Sequence, residues 1–392
     1  MNVADTLETA RRGRWAVAAM FFANGFIIGS WAPQIPVLLT RLDIRETTLG
    51  FLILVFGVGA LCAMPWAGYL MSRHGSQKVL RAFALLSSVG LLSVALAGNL
   101  WFAAPAMFFL GGVIGAMDVA MNSNAVAVEK RLGKAIMSAS HGFWSLGGFA
   151  GGALGGVTIQ SVGYLPHALM VTAVTLAIVL AAFRFVISDA RLEAQQSGGF
   201  KLPSNPLIYL IGVVALFSMI PEGSILDWAA LYLRQEMGAD IATAGFAFAA
   251  FSGTMAAMRF VGDSVRNRFG AVNTLRVSSL IAAVGMLTAG LAPTPVIAIA
   301  AFAFAGLGIA NMVPIAFSAA GNQDGMSSST GMSVVTTMGY SGILVAPSGI
   351  GFIGERTGFS PIFIALSGFL VLVCLMAGLA RGADFVHPGA AE

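Results

Sequence analysis

The chain has 392 residues, of which 57% are apolar and only 10% charged, with 48 glycines, a mean hydropathy of +0.86 and a net charge of +4. An ordinary soluble domain carries about 25% charged residues, so too few Lys, Arg, Asp and Glu remain to build a water-facing surface, and a soluble enzyme is excluded. At about 21 residues per bilayer crossing, the length accommodates twelve membrane helices joined by short loops.

In chain order, a polar start (MNVADTLETARRGR) precedes an apolar run from about Trp15 to Leu39, which is too long for a signal-peptide core and is predicted to be a retained helix. Five further runs follow near 47–71, 79–98, 101–127, 135–159 and 164–187. A polar stretch, SDARLEAQQSGGFKLPS, separates these from six more near 206–233, 241–265, 272–291, 295–319, 328–352 and 360–380. The predicted organisation is an all-α polytopic membrane protein with a six-helix half over 1–187, a cytoplasmic linker over 188–204 and a second six-helix half over 205–392.

With this map, seventeen of the 21 Lys and Arg fall on the side of the N-terminus, and Arg41, Arg45, Arg234 and Arg356 on the other. The positive-inside rule then places both termini in the cytoplasm, in a bacterial-type inner membrane. Basic residues scattered among short loops carry no nucleic-acid signal. Cys62 and Cys374 lie in separate apolar runs, so neither a disulfide framework nor a cysteine metal pair is expected.

The two halves repeat with a period of 195. Arg73, Gly75, Leu80 and Arg81 recur as Arg268, Gly270, Leu275 and Arg276, and Met137, Ser138, Gly147, Gly156, Gly163 and Pro166 recur as Met332, Ser333, Gly342, Gly351, Gly358 and Pro361. Gly, Arg and Pro at fixed spacing are not generic apolar filler. They predict two structurally related halves in parallel orientation, since each has an even helix count.

The loop after the second run reads Gly68, Tyr69, Leu70, Met71, Ser72, Arg73, His74, Gly75, and the second half has Gly262, Asp263, then Arg268, Phe269, Gly270. This resembles the G-x-L-x-D-R-x-G-R-K signature of the major facilitator superfamily of secondary transporters. The usual Asp slot holds Ser72 here and Asn267 in the repeat. The resemblance covers nearly the whole chain and implies a monomeric alternating-access carrier without a cofactor, with Ser72, Arg73, Gly75, Asp263, Arg268 and Gly270 as gating candidates. The fourth run reads Gly115, Ala116, Met117, Asp118, Val119, Ala120, Met121, Asn122, similar to fucose-permease-like sugar transporters. The seventh, with Glu222, Gly223, Ser224, Ile225, Leu226, Asp227 and Trp228, resembles a bacterial permease branch of the same superfamily.

The residues themselves point to the same chemistry. A carboxylate near the bilayer centre costs about 2.5–3.5 kcal/mol or more, so Asp118, Glu222 and Asp227 must face the bundle interior or a water-filled cavity. With no Lys or Arg expected at comparable depth, protonation is the readiest way to remove their charge, which makes them proton-coupling candidates. Asn122 shares the Asp118 face at i+4, and Glu222 directly follows Pro221, where a broken backbone commonly lines a cavity. Solute-binding candidates are Asn24, Trp31 and Gln34 of the first run, Asn122, His141 and Trp144, and in the second half Trp228, Asn311 and Tyr340; the alternatives for these groups are helix packing or an aromatic belt at the interface.

The glycines of the fifth run, Gly147, Gly151 and Gly155 beside Gly148, Gly152 and Gly156, form a doubled small-residue ridge suited to close packing. They also resemble the G-x-x-x-G-P-x-x-G-G motif of drug antiporters, with Gly152 in the Pro position and Pro347 in that slot of the repeat. No phosphate-binding G-x-x-x-x-G-K-[ST], H-E-x-x-H or G-x-S-x-G occurs, so neither a nucleotide-driven pump nor a membrane hydrolase is indicated. The expected function is proton-coupled symport of a small polar solute such as a sugar, with proton-coupled efflux, or a non-transporting membrane sensor, as alternatives. The partners are the solute, protons and the lipid bilayer.

Overall fold

The computed structural model describes residues 3–133, 136–188, 203–323 and 328–384, with side chains omitted at 3–6, 263 and 328–330. Among these residues the chain is helical throughout. Its elements are α1 (Val3–Trp31), α2 (Gln34–Leu42), α3 (Glu46–His74), α4 (Ser76–Ser88), α5 (Gly90–Leu96), α6 (Leu100–Leu132), α7 (Met137–Val162), α8 (Tyr164–Phe183), α9 (Pro206–Met237), α10 (Ile241–Phe269), α11 (Ala271–Gly290), α12 (Pro295–Ile309), α13 (Met312–Gly321), α14 (Ser328–Thr357) and α15 (Ser360–Met376), closed by a 3₁₀ segment, Ala377–Ala383.

Three of the apolar runs are broken rods. α1 and α2 meet at a 43° bend, where Pro33 and Pro36 interrupt the backbone ladder. α4 and α5 part at Val89, and α12 and α13 at Asn311. Taking each broken rod as one span gives twelve. Ten helices, or eleven counting the α1–α2 pair, are long and apolar enough to cross a bilayer by composition alone. The remaining rod, α7, is 26 residues long, and its glycines dilute its apolarity.

The period of 195 is visible in the backbone. Gly75 and Gly270 (φ 82° and 78°), Gly163 and Gly358 (91° and 78°), and Asp43 and Gly238 (50° and 63°) end corresponding helices in the left-handed region, which favours glycine. Asn99 accepts a hydrogen bond from Phe102 N, and Thr294 accepts one from Ile297 N. Both donor and acceptor are displaced by 195.

Most interhelical packing lies within the halves, α1 on α7 and α3 on α6 in the first, α9 on α14 and α11 on α15 in the second. Two seams join them, α7 against α10 and α3 against α14. The α7 ridge serves both kinds of contact. Gly147 and Gly151 face backbone of α1 near Phe22 and Phe26, while Gly148, Gly152 and Gly156 face α10 near Ser252, Ala249 and Ala242. Large apolar side chains such as Trp15, Trp101, Val296 and Leu375 cover the outside, as a lipid-facing surface requires.

The face of the bundle carrying the start of α1 is called proximal here, and the opposite face distal. Polar contacts between the halves gather at the distal face: Gln235 Nε2 donates to Glu46 Oε1 (2.6 Å), Ala242 N to Gln160 Oε1 (2.9 Å) and Thr47 N to Glu355 Oε2 (3.3 Å). The halves also meet midway, through Ser252 Oγ donating to the Ser145 carbonyl (2.8 Å). Toward the proximal face Tyr69 and Met332 are exposed.

Candidate functional site

Six helices, three from each half, bring polar side chains together near mid-bundle. Asn24 of α1 is buried and accepts a hydrogen bond from Trp144 Nε1 of α7 (2.9 Å), while its own Nδ2 donates to the Ile114 carbonyl (3.3 Å). The Gly25 backbone touches Trp144 so closely that a Cβ would overlap its carbonyl oxygen, which fixes the indole beside Asn24. One residue on, Ser145 accepts from Arg259 Nη1 of α10 (2.7 Å), and the Arg259 guanidinium lies 5.9 Å from the Trp144 ring centroid.

Arg259 Nη2 also pairs with Glu222 Oε1 of α9 at 3.5 Å, with side-chain exposures of 14% and 21%. Tyr340 lies partly buried on α14, the helix that packs against α9 of its own half and α3 of the other. Asp118 of α6 accepts from Asn122 Nδ2 (3.3 Å), which donates to the Asp118 carbonyl as well (2.9 Å). Hydrogen bonds and the ion pair thus link Asn24 to Trp144 and, one residue on, Ser145 to Arg259 and Glu222, while Asp118 and Asn122 form a second polar pair on α6. Asn24 and Ser145 are buried, whereas Trp144, Arg259, Glu222, Tyr340, Asp118 and Asn122 are partly exposed in the middle of apolar helices, where polar groups face the bundle interior rather than lipid.

Arg259 is the member that sequence reasoning placed elsewhere. Counted with Arg266 and Arg268 among the basic residues on the side of the N-terminus, it lies well inside a membrane-crossing segment, Ile241–Gly262. The expectation that no cation sits at the depth of the acids is thereby corrected: Glu222 has a partner. Asp118 has no Lys or Arg within ion-pair distance among the described residues. His141 is near the proximal end of α7, its ring edge-on to Phe21 at 5.1 Å.

Other predicted residues lie apart from this cluster. Trp31 (2% exposed) and Trp228 (0%) are packed in the core, Trp228 stacked on Phe359 at 5.2 Å with no hydrogen-bond acceptor for its N–H. Gln34 donates to the Tyr164 carbonyl (3.0 Å) and contacts His167 Nδ1 (2.9 Å), tying α2 to α8. Asp227 is buried in α9, five residues distal of Glu222, and Asn311 is buried at the α12–α13 break beside Gly262.

At the proximal turns, Ser72 Oγ donates to the Tyr69 carbonyl (2.7 Å), Arg73 lies over the Tyr69 ring (4.8 Å) and Arg268 over that of Phe269 (5.5 Å). The side chain of Asp263 lies outside the described residues. Among the described residues no group of three or more His, Cys, Asp or Glu could hold a metal ion.

A two-half helical bundle with a polar site at the seam and one face shut is the architecture of a membrane carrier. The family model of the Major Facilitator Superfamily matches residues 17–323 and 211–390. The chain is 33% identical over 364 residues to an uncharacterized transporter of Sinorhizobium fredii, covering 92% of this chain and 96% of that protein. It is 34% identical to an uncharacterized MFS-type transporter of Yersinia pestis (91% and 93% covered) and 33% identical to the membrane protein MosC of Rhizobium meliloti (91% and 88%). The crystal structure of the nucleoside transporter NupG superimposes with a TM-score of 0.70 at 12% identity, over 97% of this chain and 99% of that one, a likeness of fold. The chain belongs to the major facilitator superfamily. It is a multi-pass membrane transporter and not an enzyme.

Proposed function

We propose that the protein is a proton-coupled symporter of a small uncharged polar solute, a sugar or sugar-like metabolite, acting as a monomer in the inner membrane with both termini in the cytoplasm. The observation that carries this reading is the unequal treatment of two acids within the membrane-crossing helices. Arg259 compensates Glu222, whereas Asp118 has only the Asn122 amide. An uncompensated carboxylate at this depth is costly, and a bound proton removes that charge. The loaded site is then neutral overall, which favours closure around an uncharged solute.

The Trp144 indole offers an aromatic face, and Asn24, Asn122, His141 and Tyr340 offer hydrogen-bonding groups, as a polyol requires. Glu222 assists by pairing with Arg259; Asp227, deeper in α9, is a second candidate proton site. The skew of seventeen against four basic residues supports a cytoplasmic proximal face.

The reading is tested in proteoliposomes with an internal pH dye. A sugar added outside should acidify the lumen, and alkalinisation on adding a cationic drug would establish efflux antiport in its place. Asp118→Asn should abolish coupled accumulation while gradient-free exchange of the solute survives. Accumulation equal to that of the unaltered protein would remove Asp118 from coupling.

A further inference from the structure

The distal closure is built from the repeat itself. Gln160, at the end of α7, accepts from Ala242 N at the start of α10. Glu355, at the end of α14, accepts from Thr47 N at the start of α3. Gln160 and Glu355 are 195 residues apart, as are Thr47 and Ala242. Each half thus caps the exposed N-terminus of a helix in the other half, and the two caps are images of one another. The first turn of a helix has backbone N–H groups with no acceptor of their own, so an acceptor supplied across the seam binds the halves only while they touch.

The two arms differ in one respect. α10 carries its own cap, Asp240, whose Oδ1 accepts from Thr243 N at 2.7 Å; these bonds hold the Asp240 carboxyl below the usual carboxylate range, so it stays ionised at neutral pH. The corresponding position in the first half is Arg45, which has no acceptor to offer, and α3 has no side-chain cap from its N-cap residue. Glu355 fills that role from the opposite half and pairs with Arg45 at 3.6 Å. That ion pair is exposed at Arg45 and contributes little alone. On separation α10 would retain Asp240, whereas α3 would retain nothing equivalent.

We propose that Gln160 and Glu355 form a two-armed latch that holds the distal face shut, with Glu355 the dominant arm. They act as positioning residues: they touch no solute and set how often the carrier opens distally. The proposal rests on the carrier fold and is independent of which solute moves or whether protons drive it.

The test places spin labels at Gly98→Cys and Pro293→Cys, with Cys62 and Cys374 replaced by Ser, in the full chain in lipid nanodiscs. Both positions are exposed on the distal face, one in each half, outside the latch, and Gly98 has open space for a side chain. Distances are read by double electron–electron resonance. Glu355→Ala should shift population to a longer distance, and Gln160→Ala should do so less. Arg45→Asn gives α3 its own cap, as Asp240 gives α10, and removes the ion pair; it should lengthen the distance without lowering the melting temperature. An unchanged distribution in Glu355→Ala, or a larger opening in Gln160→Ala, would overturn the proposal. So would a loss of melting temperature in all three variants with distances unmoved, the signature of a merely structural role.

Discussion

At the scale of single residues, the centre of the protein depends on how one cation is shared. Arg259 is held by Ser145 from one half and Glu222 from the other, so it links the halves at mid-bundle. Removing one member of a buried ion pair leaves the other charge uncompensated, at about 3–5 kcal/mol in a dry interior. With both side chains partly exposed the loss should be smaller, about 2 kcal/mol after allowing for solvent screening. Arg259→Ala should therefore lower the melting temperature in detergent and abolish transport. Combining it with Glu222→Gln should restore most of the melting temperature without restoring transport. Full recovery of transport in the double variant would show the pair to be structural only.

Arg259 was within reach of the sequence. It precedes the Gly270 turn by eleven residues, and at 1.5 Å per residue this places it about 16 Å inside the helix end, roughly half the hydrocarbon thickness. Arg266 and Arg268 lie within the last turns. Grouping all three by charge count hid that difference. Trp31 and Trp228 show the converse. An aromatic side chain in an apolar run suits either a binding face or a core, and only packing on neighbours such as Phe359 separates the two.

At the scale of elements, α7 organises the bundle. Its two glycine rows, one residue out of step, present one small face to α1 and another to α10, so a helix of one half can touch its own half and the other at nearly backbone distance. Dispersion between close-packed backbones replaces the hydrophobic drive that is lost in lipid. The α1 side of this contact is equally tight at Gly25, against the Trp144 carbonyl. Gly25→Ala should therefore force α1 and α7 apart, move Trp144 from Asn24 and destabilise the fold by about 1–3 kcal/mol, as overpacking does. Gly368→Ala, on the exposed side of α15 with open space around it, should leave both thermal stability and transport unchanged. Equal effects of the two substitutions, measured by thermal unfolding and uptake, would contradict this account.

At the scale of the whole molecule, the contacts between halves define a conformational state. Polar contacts link the halves at the distal face and again at mid-bundle, whereas Tyr69 and Met332 are exposed toward the proximal face. On the proposed orientation, with the proximal face cytoplasmic, Asn122→Cys in a chain lacking Cys62 and Cys374 should react with a membrane-impermeant maleimide from the cytoplasmic side of inverted vesicles. It should be protected from the external side of intact cells, and preferential labelling from outside would reverse the assignment. Transport then requires the distal contacts to yield and the proximal ends to meet, an exchange between two packed states.

The amino-acid sequence by itself determined the membrane class, the helical content and the duplication. Each follows from local physics: twenty apolar residues span a bilayer as a helix because the backbone must satisfy its own hydrogen bonds, and a recurring Gly or Pro marks the same turn wherever it recurs. Gly75 and Gly270, or Gly163 and Gly358, could be aligned for that reason before any fold was known. The tertiary structure alone decided which polar groups meet. The sequence indicated neither that Arg259 lies against Glu222 and Ser145, nor that Trp228 is sealed in the core, nor that Gln160 and Glu355 reach across to Ala242 and Thr47. Those pairings depend on helix rotation and on the approach of the two halves, set by small-residue packing summed over many contacts, and periodicity along one chain does not encode the facing surface of another helix.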